Sequence, residues 1–206
     1  LVYIFIEANI SKKILKKLLN NNLENTFNSI TTDGDTSTSD TLVLFSVDNS
    51  TINFNINKNY EILQKSIFDL MKELSLKVVK DGEGLSKLLI VHVNKSRTQK
   101  QAKKIAFSIL NSPLVKTAVS GEDANWGRVI AAIGKSQEKI NQNKIELYFG
   151  KNLICKNGMV YNRLNLSKVN NYMKSKIIEI SVRLNIGKEK FTAYGNDLTH
   201  EYIRIN

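Results

Sequence analysis

The chain has 206 residues, 42% of them hydrophobic, which is enough to fill the core of one large domain or two small ones. The longest apolar stretches, such as residues 88–91, fall far short of the roughly 18 residues that a membrane span needs. A single cysteine, Cys155, rules out an internal disulfide. The spacing of Cys155 and His92, and of the isolated His200, is not that of metal ligands. We therefore expect a soluble cytoplasmic protein without a structural metal.

The net charge of +11 is typical of proteins that neutralise phosphates with clustered lysines and arginines. The clusters at 12–17 and 97–104 alternate with apolar residues at helical spacing, as the solvated face of an amphipathic helix does. No aromatic residues are interleaved for base stacking. Solvated helix faces are therefore favoured, and a non-catalytic basic nucleic-acid-binding module is kept as an alternative.

The first half of the chain alternates between strand-like and helical patterns. Residues 1–6 form an apolar run rich in β-branched and aromatic residues, which predicts a strand buried on both faces. Ser11 can cap a following helix with an apolar stripe from Ile14 to Leu23. Further strands are predicted at 41–47 and 88–93, and further helices at 60–76 and 98–111. Strands and helices that intermingle in this way predict an α/β layered core.

The pattern changes at Pro113, the only proline. Residues 114–119 look strand-like, and a short helix is predicted from about 125 to 133. After this helix, strands dominate. We expect a domain boundary near residue 120, without a flexible linker.

Two later segments show the two-residue period of a strand. Apolar and polar residues alternate through 178–186, which predicts a strand with one solvated face. Ile203 and Ile205 repeat the period at the end of the sequence. A strand is therefore predicted there as well.

Three segments are richer in Gly, Asp and Thr than plain connectors. In the first, "DGDTSTSD" at 33–40, short hydroxyl and carboxylate side chains can bond neighbouring backbone amides and hold an irregular turn. Because no His or Lys lies nearby to act as a base for the hydroxyls, a rigid structural loop is favoured.

The second segment is "KDGEGLSK" at 80–87. Gly82 and Gly84 flank Glu83, and residues without a Cβ let the backbone come close to a ligand or to another part of the chain. A carboxylate placed in this way could hold a substrate ammonium. The alternative is a hairpin corner with an exposed carboxylate.

The third segment is "GEDANWGR" at 121–128. Asp123 can cap the helix that begins near residue 125, Trp126 supplies an apolar anchor, and Gly127 lets a neighbouring element approach. A helix N-terminus also attracts anions. A packing and capping motif is favoured over a functional one.

No Walker loop, dinucleotide fingerprint, GxSxG elbow or HExxH helix appears, so no enzymatic nucleophile is visible in the chain. Taken in order, however, several segments resemble the glutamate N-acetyltransferase, or ornithine acetyltransferase, family of arginine biosynthesis. The resemblance is carried by "FIEANI" at 5–10, "DGDTSTSD" at 33–40, "DGEG" at 81–84, "GEDANWGR" at 121–128 and "NDLTHEYIRIN" at 196–206. The last two favour this family over the alternative, an aminopeptidase of the related self-cleaving fold.

The resemblance implies a precursor that cuts itself in two, with this sequence as the downstream β chain. The nucleophile would be a threonine just before Leu1, and the oxyanion hole would lie on a separate α chain, so this chain would hold no catalytic residue. The implied fold is α/β, a layered αββα-type sandwich of the self-cleaving, N-terminal-nucleophile-like kind. Residues 1–120 would belong to that domain, which the α chain completes, and residues 121–206 would form a smaller C-terminal α/β domain.

The implied reaction is a ping-pong transfer of an acetyl group from N-acetylornithine to glutamate by an α2β2 assembly, without cofactor, metal, nucleic acid or membrane. Use of acetyl-CoA as a second donor is left open. Two positions match substrate contacts of the family. They are Glu83, whose carboxylate would face the substrate ammonium, and Asn206, whose amide would help to hold the amino acid.

Overall fold

The computed structural model describes residues 1–47 and 57–206. These residues form two compact units. The first unit contains Leu1–Ser29 and Asp35–Lys77, and the second contains Ile30–Gly34 and Val78–Asn206. The predicted boundary near residue 120 lies inside the second unit. Because the predicted first domain is one that a separate α chain completes, that boundary stays a prediction.

The first unit is built on a parallel strand pair, β1 (Val2–Glu7) and β2 (Leu42–Val47), with Ile4 opposite Leu44. Helix α1 (Lys12–Leu23) begins as predicted at Ser11, whose side chain accepts a hydrogen bond from the Ile14 amide. Helix α2 (Asn57–Lys80) is longer than predicted, and its last three residues belong to the second unit. Buried residues from β1 and α2 form the small core: Ile4, Ile67 and Met71.

Strand β1 lies where it was predicted, but only one of its faces is buried. Ile4 is 3% exposed, whereas Tyr3 and Phe5 on the opposite face are 52% and 68% exposed. Phe45 of β2 stacks on Phe5 with the ring centroids 4.9 Å apart. Because side chains alternate between the faces of a strand, an apolar run does not show that both faces are covered within one chain.

The second unit contains a mixed sheet of six strands in the order β6-β5-β4-β7-β3-β8. Strands β3 and β7 are parallel, and the other neighbouring pairs are antiparallel. The strands are β3 (Leu88–Ser96), β4 (Glu146–Phe149), β5 (Asn152–Lys156), β6 (Met159–Val160), β7 (Ile177–Arg183) and β8 (Glu189–Asn196). The alternating burial of β7 confirms the predicted strand with one solvated face.

The helices of the second unit are α3 (Gln99–Leu110), α4 (Pro113–Ser120), α5 (Trp126–Lys135), α6 (Leu166–Met173) and α7 (His200–Ile205). Short 3₁₀ turns occur at Phe27–Ser29 in the first unit and at Gln142–Lys144 in the second. Helix α3 covers one face of the sheet, where Leu89, Val91 and Ile105 are fully buried. No helix within the described ranges is both long and apolar enough to cross a lipid bilayer.

The predicted strand at 114–119 is wrong, because these residues form α4. Ser112 accepts a hydrogen bond from the Val115 amide, and Pro113 occupies the first turn, where its missing N–H costs nothing. Val115, Ala118 and Val119 are buried at helical spacing. The cap and the proline therefore outweigh the strand-like composition.

The predicted strand at Ile203 and Ile205 is also wrong, because both residues lie in α7. Thr199 is the N-cap and accepts a hydrogen bond from the Tyr202 amide. The two isoleucines are 66% and 53% exposed, so their spacing does not mark a buried strand face.

Candidate functional site

The Gly82–Glu83–Gly84 turn connects α2 to β3, so it is not a hairpin corner, although Glu83 is exposed as that alternative predicted. Gly84 has a φ of +59°, and a Cβ added to it would lie 2.3 Å from the Tyr202 amide nitrogen. A Cβ added to Gly82 would lie 2.4 Å from Asn196 Nδ2. The two glycines therefore allow residues 196–206, the tail of the chain, to pack directly on the turn.

The structure brings the two predicted substrate contacts together. Asn206 Nδ2 donates to Glu83 Oε2 at 2.9 Å, although the two residues are 123 positions apart in sequence. The same amide group donates to the Tyr202 carbonyl at 3.1 Å. Both Glu83 and Asn206 are exposed, so their polar groups are open to a small molecule.

Asp197 fastens the start of the tail beside the turn. It is 4% exposed, and its Oδ1 accepts hydrogen bonds from the amides of Ser86 at 2.9 Å and Lys87 at 3.0 Å. Its Oδ2 accepts from Ser86 Oγ at 2.5 Å. Hydrogen bonds to a carboxylate are stronger than those between neutral groups, so Asp197 holds Ser86 and Lys87, which lie between the Gly82–Gly84 turn and β3, against the start of the tail.

Thr199 fastens the tail at a second point. Its hydroxyl donates to the Gly84 carbonyl and accepts from the Tyr202 amide at 3.3 Å. One side chain therefore both caps α7 and ties the helix to the turn. Asn206 is the residue that follows α7, so its position relative to Glu83 depends on this contact.

Lys87 connects the "KDGEGLSK" segment with the "GEDANWGR" segment. Its Nζ lies 3.1 Å from Glu122 Oε1 and also donates to the carbonyls of Met173 at 3.0 Å and Ser175 at 3.2 Å. The Lys87 side chain is 6% exposed, whereas that of Glu122 is 44% exposed. A buried ammonium needs such partners, so this ion pair fixes the two segments beside each other.

The "GEDANWGR" segment is a capping and packing motif, as predicted, but the cap is a different residue. Asn125 caps α5 by accepting from the Arg128 amide at 3.2 Å, and Asp123 instead accepts from Asn125 Nδ2 at 3.0 Å. Trp126 packs against the main core as expected. Within residues 1–47 and 57–206, no other element approaches Gly127 closely, because an added Cβ would meet Asn125 Oδ1 alone, at 3.5 Å.

The "DGDTSTSD" segment forms a loop, as predicted, and its residues are exposed. Within it, Ser37 Oγ accepts from the Ser39 amide at 3.2 Å, and the Thr41 hydroxyl donates to the Ser39 carbonyl at 3.1 Å. Such local bonds hold irregular turns. In residues 1–47 and 57–206, no group of three or more His, Cys, Asp or Glu side chains could hold a metal ion.

Sequence reasoning assigned no role to Asp197, Thr199 or Lys87. A threonine N-cap with an acidic residue, here Glu201, in the first turn of the helix is a recognisable start signal. The roles of Asp197 and Lys87 have no such local signal, because their partners lie far away in sequence.

The chain is similar to known proteins along its whole length. The profile of the ArgJ family matches residues 1–206. The chain is 42% identical over 209 residues to the arginine biosynthesis bifunctional protein ArgJ of Bartonella henselae, and 40% identical over 207 residues to that of Zymomonas mobilis. The alignments cover 100% and 99% of this chain but 51% of each relative, so the chain spans about half the length of these curated relatives.

A crystal structure of the arginine biosynthesis bifunctional protein ArgJ from Bacillus halodurans matches with a TM-score of 0.92 and 34% identity, over 100% of this chain and 97% of that chain. The match confirms the predicted class, an α/β fold of the layered, N-terminal-nucleophile-like kind. With the profile match over its whole length, the chain belongs to the ArgJ family. The predicted resemblance is confirmed, and the aminopeptidase and nucleic-acid-binding alternatives have no support among these matches.

Proposed function

We propose that this chain is one part of an acetyltransferase of arginine biosynthesis that moves the acetyl group of N-acetylornithine to glutamate. The observation that carries the proposal is the 2.9 Å contact between Asn206 and Glu83. It places an amide and a carboxylate side by side at an exposed surface, and these groups suit the carboxylate and ammonium of an amino acid. Membership of the ArgJ family supports the reaction.

The proposed partner is an α chain from the same precursor, in an α2β2 assembly. Two observations support a protein in two parts. The chain spans 51% of its curated relatives but 97% of the matched crystal chain. In addition, one face of the first unit exposes a contiguous group of aromatic rings, formed by Tyr3, Phe5 and Phe45. A partner chain would cover this surface.

The nucleophile in this proposal is a threonine just before Leu1. A threonine hydroxyl is a poor nucleophile, but the α-amino group of a chain-terminal threonine, with a pKa of about 8, can accept its proton. The hydroxyl oxygen then attacks the acetyl carbonyl carbon, the C–N bond breaks, and ornithine leaves with the proton. Backbone donors of the α chain would stabilise the oxyanion.

In the second half of the reaction, the neutral amine of glutamate attacks the acetyl-threonine ester, and the α-amino group of the threonine takes the proton that this amine loses and passes it to the threonine oxygen. The C–O bond breaks, the threonine hydroxyl recovers its proton, and N-acetylglutamate leaves. Glu83 and Asn206 would hold the amino-acid part of each substrate in turn. The relatives are named as bifunctional proteins, which supports acetyl-CoA as a second acetyl donor to glutamate.

We also propose that the protein works in the cytoplasm without a nucleic-acid partner. The buried, unpaired Cys155 suits a reducing compartment. A nucleic-acid complex would weaken steeply as salt rises. A gel-shift titration with duplex DNA at low and physiological salt therefore tests that part of the proposal, and it should show no salt-sensitive complex.

The test of the main proposal is Glu83→Gln in the enzyme expressed from its full gene. Removing the charge of a hydrogen-bonding partner costs about 1.5–3 kcal/mol, so kcat/KM for N-acetylornithine should fall roughly 10- to 150-fold. The matched control is Glu189→Gln, which neutralises an exposed glutamate on β8 and should leave the rate unchanged. Equal turnover by parent and Glu83→Gln would show that the role given to Glu83 is wrong.

A further inference from the structure

Lys116 of α4 is a buried cation beside the tail of the chain. It is 3% exposed, and its Nζ donates to the Thr32 carbonyl and to Asn196 Oδ1, the latter at 3.0 Å. Its own carbonyl accepts from the Leu198 amide at 3.4 Å. One residue of α4 therefore contacts the positions on both sides of Asp197.

Burying the Lys116 ammonium costs desolvation free energy. Desolvation lowers the pKa of Lys116, and the nearby carboxylates of Asp33 and Asp197 oppose the shift. A methionine of similar shape would avoid the cost of desolvation. The cation is therefore better explained by the contacts it makes than by filling space.

The first of these contacts orders the segment Ile30–Gly34. Besides the bond from Lys116 to the Thr32 carbonyl, the Thr31 amide donates to the Tyr194 carbonyl at 2.9 Å. The Thr31 hydroxyl donates to Asn111 Oδ1 at 2.8 Å. Thr32 itself is held through its carbonyl by Lys116.

The second contact leads to the Glu83 turn. The Asn196 side chain is held through Oδ1 by Lys116, and its Nδ2 lies against Gly82, where an added Cβ would be 2.4 Å away. Asn196 is 5% exposed, so its amide has little room to rotate. A displaced amide would change the contact between Asn196 Nδ2 and the Gly82 backbone, and with it the position of the neighbouring Glu83.

We propose that Lys116 is a positioning residue that sets the place of Glu83 through Asn196 and, independently, orders the segment Ile30–Gly34 through the Thr32 carbonyl. The consequence for substrate binding rests on the proposed function of Glu83. The structural part does not, because it concerns contacts within this chain. Lys116 acts in this scheme without touching substrate.

Amide hydrogen exchange of the assembled enzyme tests the structural part with three variants. Lys116→Met removes both contacts and should speed exchange about tenfold in both the Thr32 segment and the Gly82–Gly84 turn. Asn196→Ala removes only the link to Gly82 and should speed exchange in the turn while leaving the Thr32 segment unchanged. Lys168→Met, an exposed lysine of α6, is the control for loss of charge and should change neither.

Kinetics test the part that rests on Glu83. Lys116→Met should raise KM for glutamate about tenfold, with a smaller change in kcat. Lys116→Arg, which keeps a cation, should recover part of the loss. Because Lys116 acts through Glu83, Lys116→Met should cost little further activity in a Glu83→Gln background.

The outcomes separate the two proposals. Unchanged exchange at Gly82–Gly84 in Lys116→Met and Asn196→Ala overturns the positioning role, whatever the activity. If Lys116→Met does not fold, Asn196→Ala alone decides in the same way. If the exchange changes are localised as predicted but the parent enzyme transfers no acetyl group, the positioning role is supported and the proposed function is overturned. Fully additive losses of activity in the double variant would overturn the link through Glu83.

Discussion

The packing of α7 on Gly84 should not tolerate a side chain. Gly84 has a φ of +59°, and an added Cβ would lie 2.3 Å from the Tyr202 amide nitrogen and 2.7 Å from the Glu201 carbonyl carbon. These are backbone atoms, so the helix itself has to move. The left-handed conformation costs an alanine about 1–2 kcal/mol, and the lost hydrogen bond from Thr199 to the Gly84 carbonyl costs about 1 kcal/mol more. We expect Gly84→Ala to destabilise docked α7 by about 2–3 kcal/mol.

Amide hydrogen exchange, read by mass spectrometry on peptides that cover α7, measures this loss. A cost of 2–3 kcal/mol predicts roughly 30- to 150-fold faster exchange in α7. The control is Gly134→Ala, because an added Cβ at that α5 position meets nothing within 4 Å in the part of the chain that the structure describes. It should stabilise α5 by about 0.5–1 kcal/mol and leave α7 unchanged. Equal exchange of α7 in both variants would refute the close packing on Gly84.

Two further predictions concern the cap of α7 and a histidine on the central sheet. Thr199→Ala removes both the cap, worth about 1 kcal/mol, and the hydrogen bond to the Gly84 carbonyl, worth about 1 kcal/mol more. Helix α7 should therefore exchange about 30-fold faster, and no change would contradict the role given to Thr199. Burial lowers the pKa of His92 despite the nearby Glu179. In the window between that lowered pKa and the ordinary value of about 6.5, the unfolded chain binds more protons than the folded one, so stability should fall as pH falls. NMR titration of His92 and the pH dependence of unfolding relative to His92→Gln check this, and a midpoint at or above 6.5 would contradict it.

Much of the secondary structure could be predicted because local pattern and tertiary environment agree. The helix from Ser11 and the strand β7 each carry one clear period, so both were predicted correctly. Residues 114–119 form a helix despite their strand-like composition, because Ser112 and Pro113 are local helix-start signals. The short spacing of Ile203 and Ile205 carried too few residues to distinguish a strand from one turn of a helix.

The site was less accessible from residue patterns. The glycine-flanked Glu83 is a candidate from the residue pattern as well as from family resemblance, whereas Asn206 is a candidate from resemblance alone. No local spacing predicts that residues 123 positions apart will meet. Asp197 and Lys116 carry no local signal, because each acts on a segment distant in sequence. The same holds for the bond from Thr199 to the Gly84 carbonyl, although its capping role does have a local signal. A buried cation such as Lys116 looks like any surface lysine until its surroundings are known.

Intact-mass spectrometry of the protein made from its full gene tests most directly whether this chain is one part of a self-cleaved acetyltransferase that forms an acetyl-threonine. We expect a chain that begins with a threonine a few residues before Leu1, gains one acetyl group on incubation with N-acetylornithine, and loses it when glutamate is added. A single uncut polypeptide, or a cut chain that never gains the acetyl group, would contradict the proposal.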